Sequence, residues 1–544
     1  MARKEIKESK KIKSILFIAP ATELGGAYGT YPPNGLLSVA GYLRSKGVKV
    51  GVIDYSGEAI DRGRVEKDIG ESSPDIVALS VLTGPGLYRA LLISNIAKGL
   101  GKIVVWGGPH VTVLPHLTLQ YKAVDYLVLG EGEYAIEELI DYLNRKIKKV
   151  PNGIGYKEKG RIIVSQPQTR FIDLETKPLP AWDLLRNIDK YFPFKKHNIV
   201  FMESHRGCPY RCAFCHHSNN AVKEYGGLYR SLSAKRVIEE FNFVKSLTKK
   251  HIDRMDIAGE LNIYSDEQAR KFSRDMLNLT NGRVKWWGVT RLHILKPETV
   301  ELMARAGCES MMLGVESGSE RIQRINGKPV DIEHAIKLTG AMRKNGILVT
   351  NTYMMGHPDE TEEELKLTLK YMRKIPSDQN LLQIYRPFPG TPYWQFSVNE
   401  DKVKEPKTFK DFVTFGVLTY HANITKMSSE LLVRTFYKAN LYEGMRFLYN
   451  LERHYLRNGM YEQFLHTLMN NRFTFKMQEF LMANKVMKDG GEDIEAIEKM
   501  SEDIDSADIE KSKIERVLKI NQTLYDSLTK TKIEPSIKVG KFNA

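Results

Sequence analysis

The residues best suited to chemistry sit in one short run, Glu203-Ser-His-Arg-Gly-Cys208-Pro-Tyr-Arg-Cys212-Ala-Phe-Cys215. A Cys-x3-Cys-x2-Cys spacing offers three thiolates from a single turn. Three thiolates can hold three corners of a cubane iron–sulfur cluster and leave its fourth iron without a protein ligand. An open iron of that kind can bind a substrate and deliver an electron to it. The alternative is a zinc ion completed by His216 or His217. Structural zinc usually takes two separated pairs of ligands, and no second cysteine pair follows here. Cys308 stands alone and is expected as a buried thiol at a helix end. Four cysteines in 544 residues exclude a disulfide scaffold.

The elements that must position this loop are written in apolar runs. From Asn198 the segments NIVFMES, RMDIAG, VKWWGV, SMMLGVES, LVTNTYMMG and NLLQIYRPF alternate with amphipathic helical stretches. Such repeats predict a partial (β/α)6 TIM-like barrel with its site at the C-terminal ends of the strands. The cysteine run follows the first of these strands. Upstream, SILFIAP, VKVGVID, DIVALSV, KIVVWGG and VDYLVLGEGE also alternate with helices and predict a doubly wound, Rossmann-like parallel sheet. Three glycine turns follow its later strands: Thr83-Gly84-Pro85, Gly107-Gly108-Pro109-His110 and Gly130-Glu131-Gly132-Glu133. Any one alone could be a tight turn. Three in succession at strand C-termini predict a crevice where a large planar or nucleotide-like ligand meets backbone. None is a GxGxxG phosphate loop.

These patterns divide the chain into an α/β domain at 12–148, a linker at 149–196 containing a short hairpin, and a barrel at 197–400. A helical C-terminal domain at 401–488 follows, with Ser428 or Ser429 as a helix N-cap, and then a charged tail at 489–544 read as solvated helix or disorder. With 42% hydrophobic and 27% charged residues, wholesale disorder is excluded. No apolar run reaches the ~18–20 residues of a membrane span. The start, MARKEIKESKKIK, leads into no signal-peptide core, so a cytoplasmic location is expected, with contact limited to a membrane surface. Lys and Arg total 81 against 66 Asp and Glu, a net +15 that favours anionic partners.

With Phe214 directly before the third cysteine and the six-fold βα run behind it, this segment resembles the radical S-adenosylmethionine (SAM) superfamily. The first domain, with its three glycine turns, resembles the cobalamin-binding domain fused to one branch of that superfamily. The resemblance covers about Ser14 to Trp394. It implies that Cys208, Cys212 and Cys215 ligate a 4Fe-4S cluster, that SAM chelates the open iron, and that Phe214 lies near the adenine. One electron from the cluster would cleave SAM to methionine and a 5′-deoxyadenosyl radical, which takes hydrogen from an unactivated carbon. Matched by position, Gly259 and Glu260 would lie near the SAM amino group, and Arg291 would pair with its carboxylate. Glu316 and Ser317 would contact the ribose or the methionyl end, and Gly356 with Glu360 would lie against the adenosyl group. Thr83, Gly84, Gly108, His110, Gly130 and Glu131 would face cobalamin. One departure stands out: Asp54 is followed by Tyr-Ser-Gly-Glu-Ala, which lacks the Asp-x-His-x-x-Gly that supplies a histidine to cobalt.

The resemblance implies methyl transfer through cobalamin to an sp3 carbon, on a lipid or isoprenoid substrate. Radical carbon–carbon bond or ring formation on a membrane lipid is the alternative within the same chemistry. A regulatory protein that merely binds SAM and cobalamin would not need the intact cysteine spacing. RNA modification by a methylthiotransferase would need a second cluster, and the cysteines for it are missing; no stable nucleic acid complex is expected, since no separate basic module is present. A flavodoxin or ferredoxin is the expected electron donor. The Met- and aromatic-rich region from Phe409 to Phe480 reads either as the wall of an apolar channel or as ordinary helix packing.

Overall fold

The computed structural model describes residues 11–20, 31–58, 60–84, 86–218, 229–257, 259–403, 405–406, 423–443 apart from 433, 437 and 441, and Met460. Two sheets carry the architecture. The first joins β1 (Ser14–Ala19), β2 (Lys49–Asp54), β3 (Ile76–Ser80), β4 (Ile103–Gly107) and β5 (Tyr126–Val128) with the hairpin β6 (Ile154–Glu158) and β7 (Arg161–Val164), in the order β2-β1-β3-β4-β5-β6-β7. Strands β1 to β5 run parallel, and β6 and β7 add antiparallel at the β5 edge. The runs Ile15–Ala19 and Ile76–Leu79 are buried throughout, as strands covered on both faces must be.

The second sheet has the order β15-β14-β13-β12-β11-β8, all parallel, and forms a half-barrel. Its strands are β8 (Asn198–Phe201), β11 (Ile252–Asp256), β12 (Lys285–Arg291), β13 (Cys308–Glu316), β14 (Leu348–Met355) and β15 (Gln379–Ile384). A two-stranded ladder of β9 (His205–Arg206) and β10 (Arg230–Ser231) stands above β8. Local sequence starts the outer helices: Ser233, Ser265, Asp331 and Thr361 each accept the backbone N–H three residues on. Thr361 and Glu364 complete a reciprocal capping box.

The segment read as a linker is instead a pinned strap. Its hairpin belongs to the first sheet, because the three-residue β5 would otherwise leave an open edge. Ala181 donates to the Leu37 carbonyl, and a Cβ on Gly41 would collide with the Leu179 carbonyl, so the strap lies directly on the helix Asn34–Ser45. Trp182 is fully buried and donates Nε1 to Glu240 Oε1 at 2.9 Å. Tyr191 donates to Asp54 at 2.5 Å, while Lys190 reaches the Asp54 carbonyl at 2.6 Å. Through Trp182, Tyr191 and Phe192 one hydrophobic core runs from the first sheet into the half-barrel. Cys308 is buried as expected, but it opens strand β13 rather than ending a helix.

In the C-terminal region, Leu431 donates to Ser428 Oγ at 3.2 Å, an N-cap bond. Asn440 donates to the Leu382 carbonyl on β15 at 3.3 Å, which places this stretch at the half-barrel's edge. The remaining expectations for 444–488 and for the tail 489–544 lie outside the described residues, Met460 apart, as does most of the proposed apolar channel. No helix among the described residues is long and apolar enough to cross a membrane.

Candidate functional site

The C-terminal edge of the first sheet and the cysteine loop of the half-barrel border one cavity of about 360 Å³. One wall carries Ser80, Gly107, Gly108, Gly130 and Glu131, and the other carries Glu203, Arg206, His216, His217 and Glu260. Gly108 has φ +95 and ψ −177, a region that only glycine occupies comfortably. A Cβ there would stand 3.0 Å from Ser80 Oγ and from Val81 N and O. Gly130, at φ +75, donates its N–H to Thr112 Oγ1 at 3.0 Å. These bare turns form a cradle that exposes backbone along the wall, as close approach of a large planar ligand requires, and at Gly108 a side chain would collide with the Ser80–Val81 turn.

Of the residues matched to cobalamin, Gly108, Gly130 and Glu131 line this wall. Thr83 and His110 do not: Thr83 Oγ1 and His110 Nδ1 are 3.0 Å apart, and His110 is 1% exposed. The left-handed turn at Gly108 sends the following His110 inward, where burial pushes its imidazole down to about 4. Gly84, at φ +126, shapes the neighbouring loop without lining the cavity.

Cys208, Cys212 and Cys215 are half-buried. Burial pushes the Cys215 thiol up to about 12, so a metal is what would hold it as thiolate. Among the described residues, no three of these cysteines and their flanking histidines bring ligand atoms within 4.8 Å of one another. Sulfurs on one tetrahedral zinc lie ~3.8 Å apart at a Zn–S distance of ~2.3 Å. In the conformation seen, no three of these groups are gathered as one zinc ion would need. The loop is anchored by Ala213, whose N–H donates to the Asn326 carbonyl at 3.1 Å, and by Tyr393, which donates to Asn326 Oδ1 at 2.5 Å.

Around the loop, the Arg291 guanidinium lies 3.9 Å over the Tyr210 ring, and Nη2 reaches the Gly327 carbonyl at 3.4 Å. Arg291 Nε is buried without a hydrogen-bond partner, and the guanidinium charge acts on Cys208. Glu260 lines the cavity with His217 Nε2 3.5 Å from its Oε1. Gly259 is pressed against His205, since a Cβ would stand 2.6 Å from His205 Cε1. His205 Nε2 lies 3.1 and 2.9 Å from the N–H groups of Glu260 and Leu261 and 3.2 Å from Glu260 Oε2, which ties the ring to the turn. At the end of β13, Glu316 adopts φ +66 and pairs with Lys328 at 2.5 Å. Ser317 departs from expectation: its hydroxyl is fully buried against Thr368 and Ser319, so it shapes the turn instead of facing the site. Gly356, at φ +88, donates to Glu360 Oε2 at 2.6 Å, and burial pushes that carboxyl up to about 7.

Sequence reasoning missed Lys328 and Arg206. Lys328 is 8% exposed, and its charge acts on Cys215. Arg206 donates Nε to Glu203 (2.7 Å), Nη1 to Glu131 (2.9 Å) and Glu133 (3.1 Å), and Nη2 to Glu133 (2.8 Å) and Ser38 (3.0 Å). Lys177 bonds Glu203 and Ser38, and Arg230 bonds Glu131. Burial would raise the Glu203 carboxyl, but Arg206 and Lys177 outweigh it and hold it at about 2. Three cations thus meet three carboxylates between the two walls, a satisfied network and not a stray charge.

Residues 24–140 match the B12 binding domain, and residues 202–372 match the radical SAM superfamily. The chain is 31% identical over 400 residues to an uncharacterized methyltransferase of Pyrococcus horikoshii, covering 71% of this chain and 84% of that one. It is 26% identical over 386 residues to the hopanoid C-3 methylase of Methylococcus capsulatus, covering 69% and 71%. Its fold is similar to that of the radical S-adenosylmethionine methyltransferase TsrM from Kitasatospora setae, solved with cobalamin and a [4Fe-4S] cluster bound. That match has a TM-score of 0.63 at 18% identity and covers 73% of this chain and 80% of that one.

Proposed function

We propose, starting from the fact that this chain belongs to the B12-binding radical SAM family, that it transfers a methyl group to an unactivated sp3 carbon of a lipid or isoprenoid substrate. Its cofactors are a 4Fe-4S cluster, SAM and cobalamin. Together these supply a transferable methyl group and the one-electron chemistry that reaches a carbon with no acidic hydrogen. The observation that carries the reading is the single cavity shared by the glycine edge of the first sheet and the cysteine loop. The cysteines do not themselves line it, but Glu203, Arg206, His216 and His217 on either side of them in the chain do, so crevice and cluster loop adjoin as a reaction using both requires.

Within that frame each residue has a stated task. Cys208, Cys212 and Cys215 hold the cluster, and Tyr393 and Asn326 keep their loop in place. Arg291 offers an unpartnered Nε to the SAM carboxylate, a charge-assisted bond in a dry setting. Phe214 would lie along the adenine. Glu316 and Lys328 neutralise one another at the strand end. A lipid or isoprenoid substrate is supported by the similarity to the hopanoid methylase and by the net +15, which suits a membrane surface or an anionic head group. Reduction would come from a flavodoxin or ferredoxin.

The test is a reaction with anaerobically reconstituted protein, hydroxocobalamin, a reductant, lipid extract and SAM carrying a deuterated methyl group. Mass spectrometry should find a lipid gaining that intact methyl only when cobalamin is present. A product that loses hydrogen and gains no label would replace methylation with ring or carbon–carbon bond formation.

A further inference from the structure

Arg206 stands at the contact between two sites that are far apart in sequence. On one side it grips Glu131 and Glu133, the acidic pair of the turn whose Gly130 lines the cobalamin wall. On the other it is separated from Cys208 by Gly207 alone, which takes φ +79. The β9–β10 ladder sets Arg206 opposite Arg230, so two arginines from neighbouring strands converge on Glu131. All three guanidinium nitrogens are engaged, with four partners: Glu131, Glu133, Glu203 and Ser38. Only a planar fork of donors can hold that many acceptors at once. Glu133 is 1% exposed, so displacing the fork would strand a carboxylate out of water.

We propose that Arg206 is a positioning residue that registers the cobalamin crevice against the cluster loop, so that filling one site tightens the other. The inference rests on the reading of the cavity as the shared site of cobalamin and cluster. A ligand that settles the Gly130–Glu133 turn settles Glu131 and Glu133, and through the fork fixes the backbone two residues before Cys208. By linkage the effect runs equally in reverse, from SAM on the cluster to cobalamin in its crevice.

The test uses the full chain with its cluster reconstituted. Arg206→Lys keeps the charge and loses the fork; Glu133→Gln keeps the shape and loses one charge. Iron per chain, the melting transition, and hydroxocobalamin affinity with and without SAM are measured, together with electron paramagnetic resonance of the reduced cluster with and without cobalamin. In the parent, SAM should strengthen hydroxocobalamin binding by about fivefold or more, and cobalamin should alter the cluster signal. Both variants should retain iron while losing most of that SAM effect and the cobalamin-dependent change in the signal. The inference is overturned if both variants keep the parent's coupling, or if the parent shows none. It is equally overturned if Arg206→Lys loses iron while Glu133→Gln behaves as the parent, since the role would then be local folding. A parent that binds no hydroxocobalamin at all would bring down the reading of the cavity itself, an outcome distinct from the loss of coupling alone.

Discussion

Replacing Gly108 with Ala is the sharpest probe of the cradle, and Gly47→Ala is its control. Both glycines have positive φ, +95 and +80. Around Gly47 nothing lies within 4 Å of an added Cβ, so its cost is the backbone strain of a left-handed alanine, about 1–2 kcal/mol. Gly108 is worse placed on two counts. Its ψ of −177 places it in a region essentially reserved for glycine, at about 1–3 kcal/mol. Its Cβ also meets Val81 N and O at 3.0 Å, and backbone atoms cannot rotate away as a side chain does. At about 2–4 °C per kcal/mol for a domain of this size, that ~1–3 kcal/mol of backbone strain alone should make Gly108→Ala lower the melting temperature by roughly 2–12 °C. Ser80 itself lines the cavity, so relief that shifts the Ser80–Val81 turn alters the crevice, and hydroxocobalamin affinity, read by absorbance titration, should fall at least about tenfold. Gly47→Ala should melt a little lower and bind hydroxocobalamin normally. If Gly108→Ala melts low yet binds with parent affinity, Gly108 shapes the fold and not the crevice, and the cradle argument fails.

Three further outcomes follow from the same geometry. Changing Cys208, Cys212 or Cys215 to Ala should abolish the visible absorption of the reconstituted protein and all SAM cleavage, whereas Cys308→Ala should leave both intact; a requirement for Cys308 would refute the three-thiolate cluster. Arg291→Ala should weaken SAM binding by about 1.5–3 kcal/mol without loss of iron, as calorimetry on the cluster-loaded protein would report, and unchanged affinity would return Arg291 to a packing role. Burial pushes the Glu240 carboxyl from its ordinary 4.5 up to about 7. The folded state therefore binds the proton more tightly, and stability is full at low pH and declines as pH rises from about 4.5 through about 7. Glu240→Gln keeps an acceptor for Trp182, so it should raise stability at pH 8 by up to about 3 kcal/mol and change little at pH 4; equal effects of thermal denaturation at both pH values would contradict that origin.

The alternation of strand and helix was legible because parallel strands buried on both faces appear as unbroken apolar runs, as in Ile76–Leu79 and Val104–Trp106. The cysteine loop was legible because its ligands are local. What was misread depends on side-chain direction at special backbone angles. His110 follows a Gly-Gly-Pro turn and looked like a ligand-facing group, but the positive φ of Gly108 turns it inward. Ser317 follows Glu316, whose own positive φ turns the chain and buries the hydroxyl. Arg206 and Lys328 were missed because their partners are fixed by tertiary contact, 73 residues away for Glu133. A signal did exist: an arginine just before the cysteine motif and an acidic pair in a strand-end turn are complementary charges beside the two predicted sites.

That separation along the chain also sets an order of assembly. Glu131 and Glu133 leave the ribosome 75 and 73 residues ahead of Arg206. At ~5–20 residues per second the lag is about 4–15 s. Throughout it the nascent first domain carries these two carboxylates at the turn that lines the cavity without the guanidinium fork that holds them in the finished fold. The same arithmetic makes the first domain a poor module for transplantation: cut free after Val164, it would keep its glycine cradle and lose the counter-charges that make the cradle hospitable.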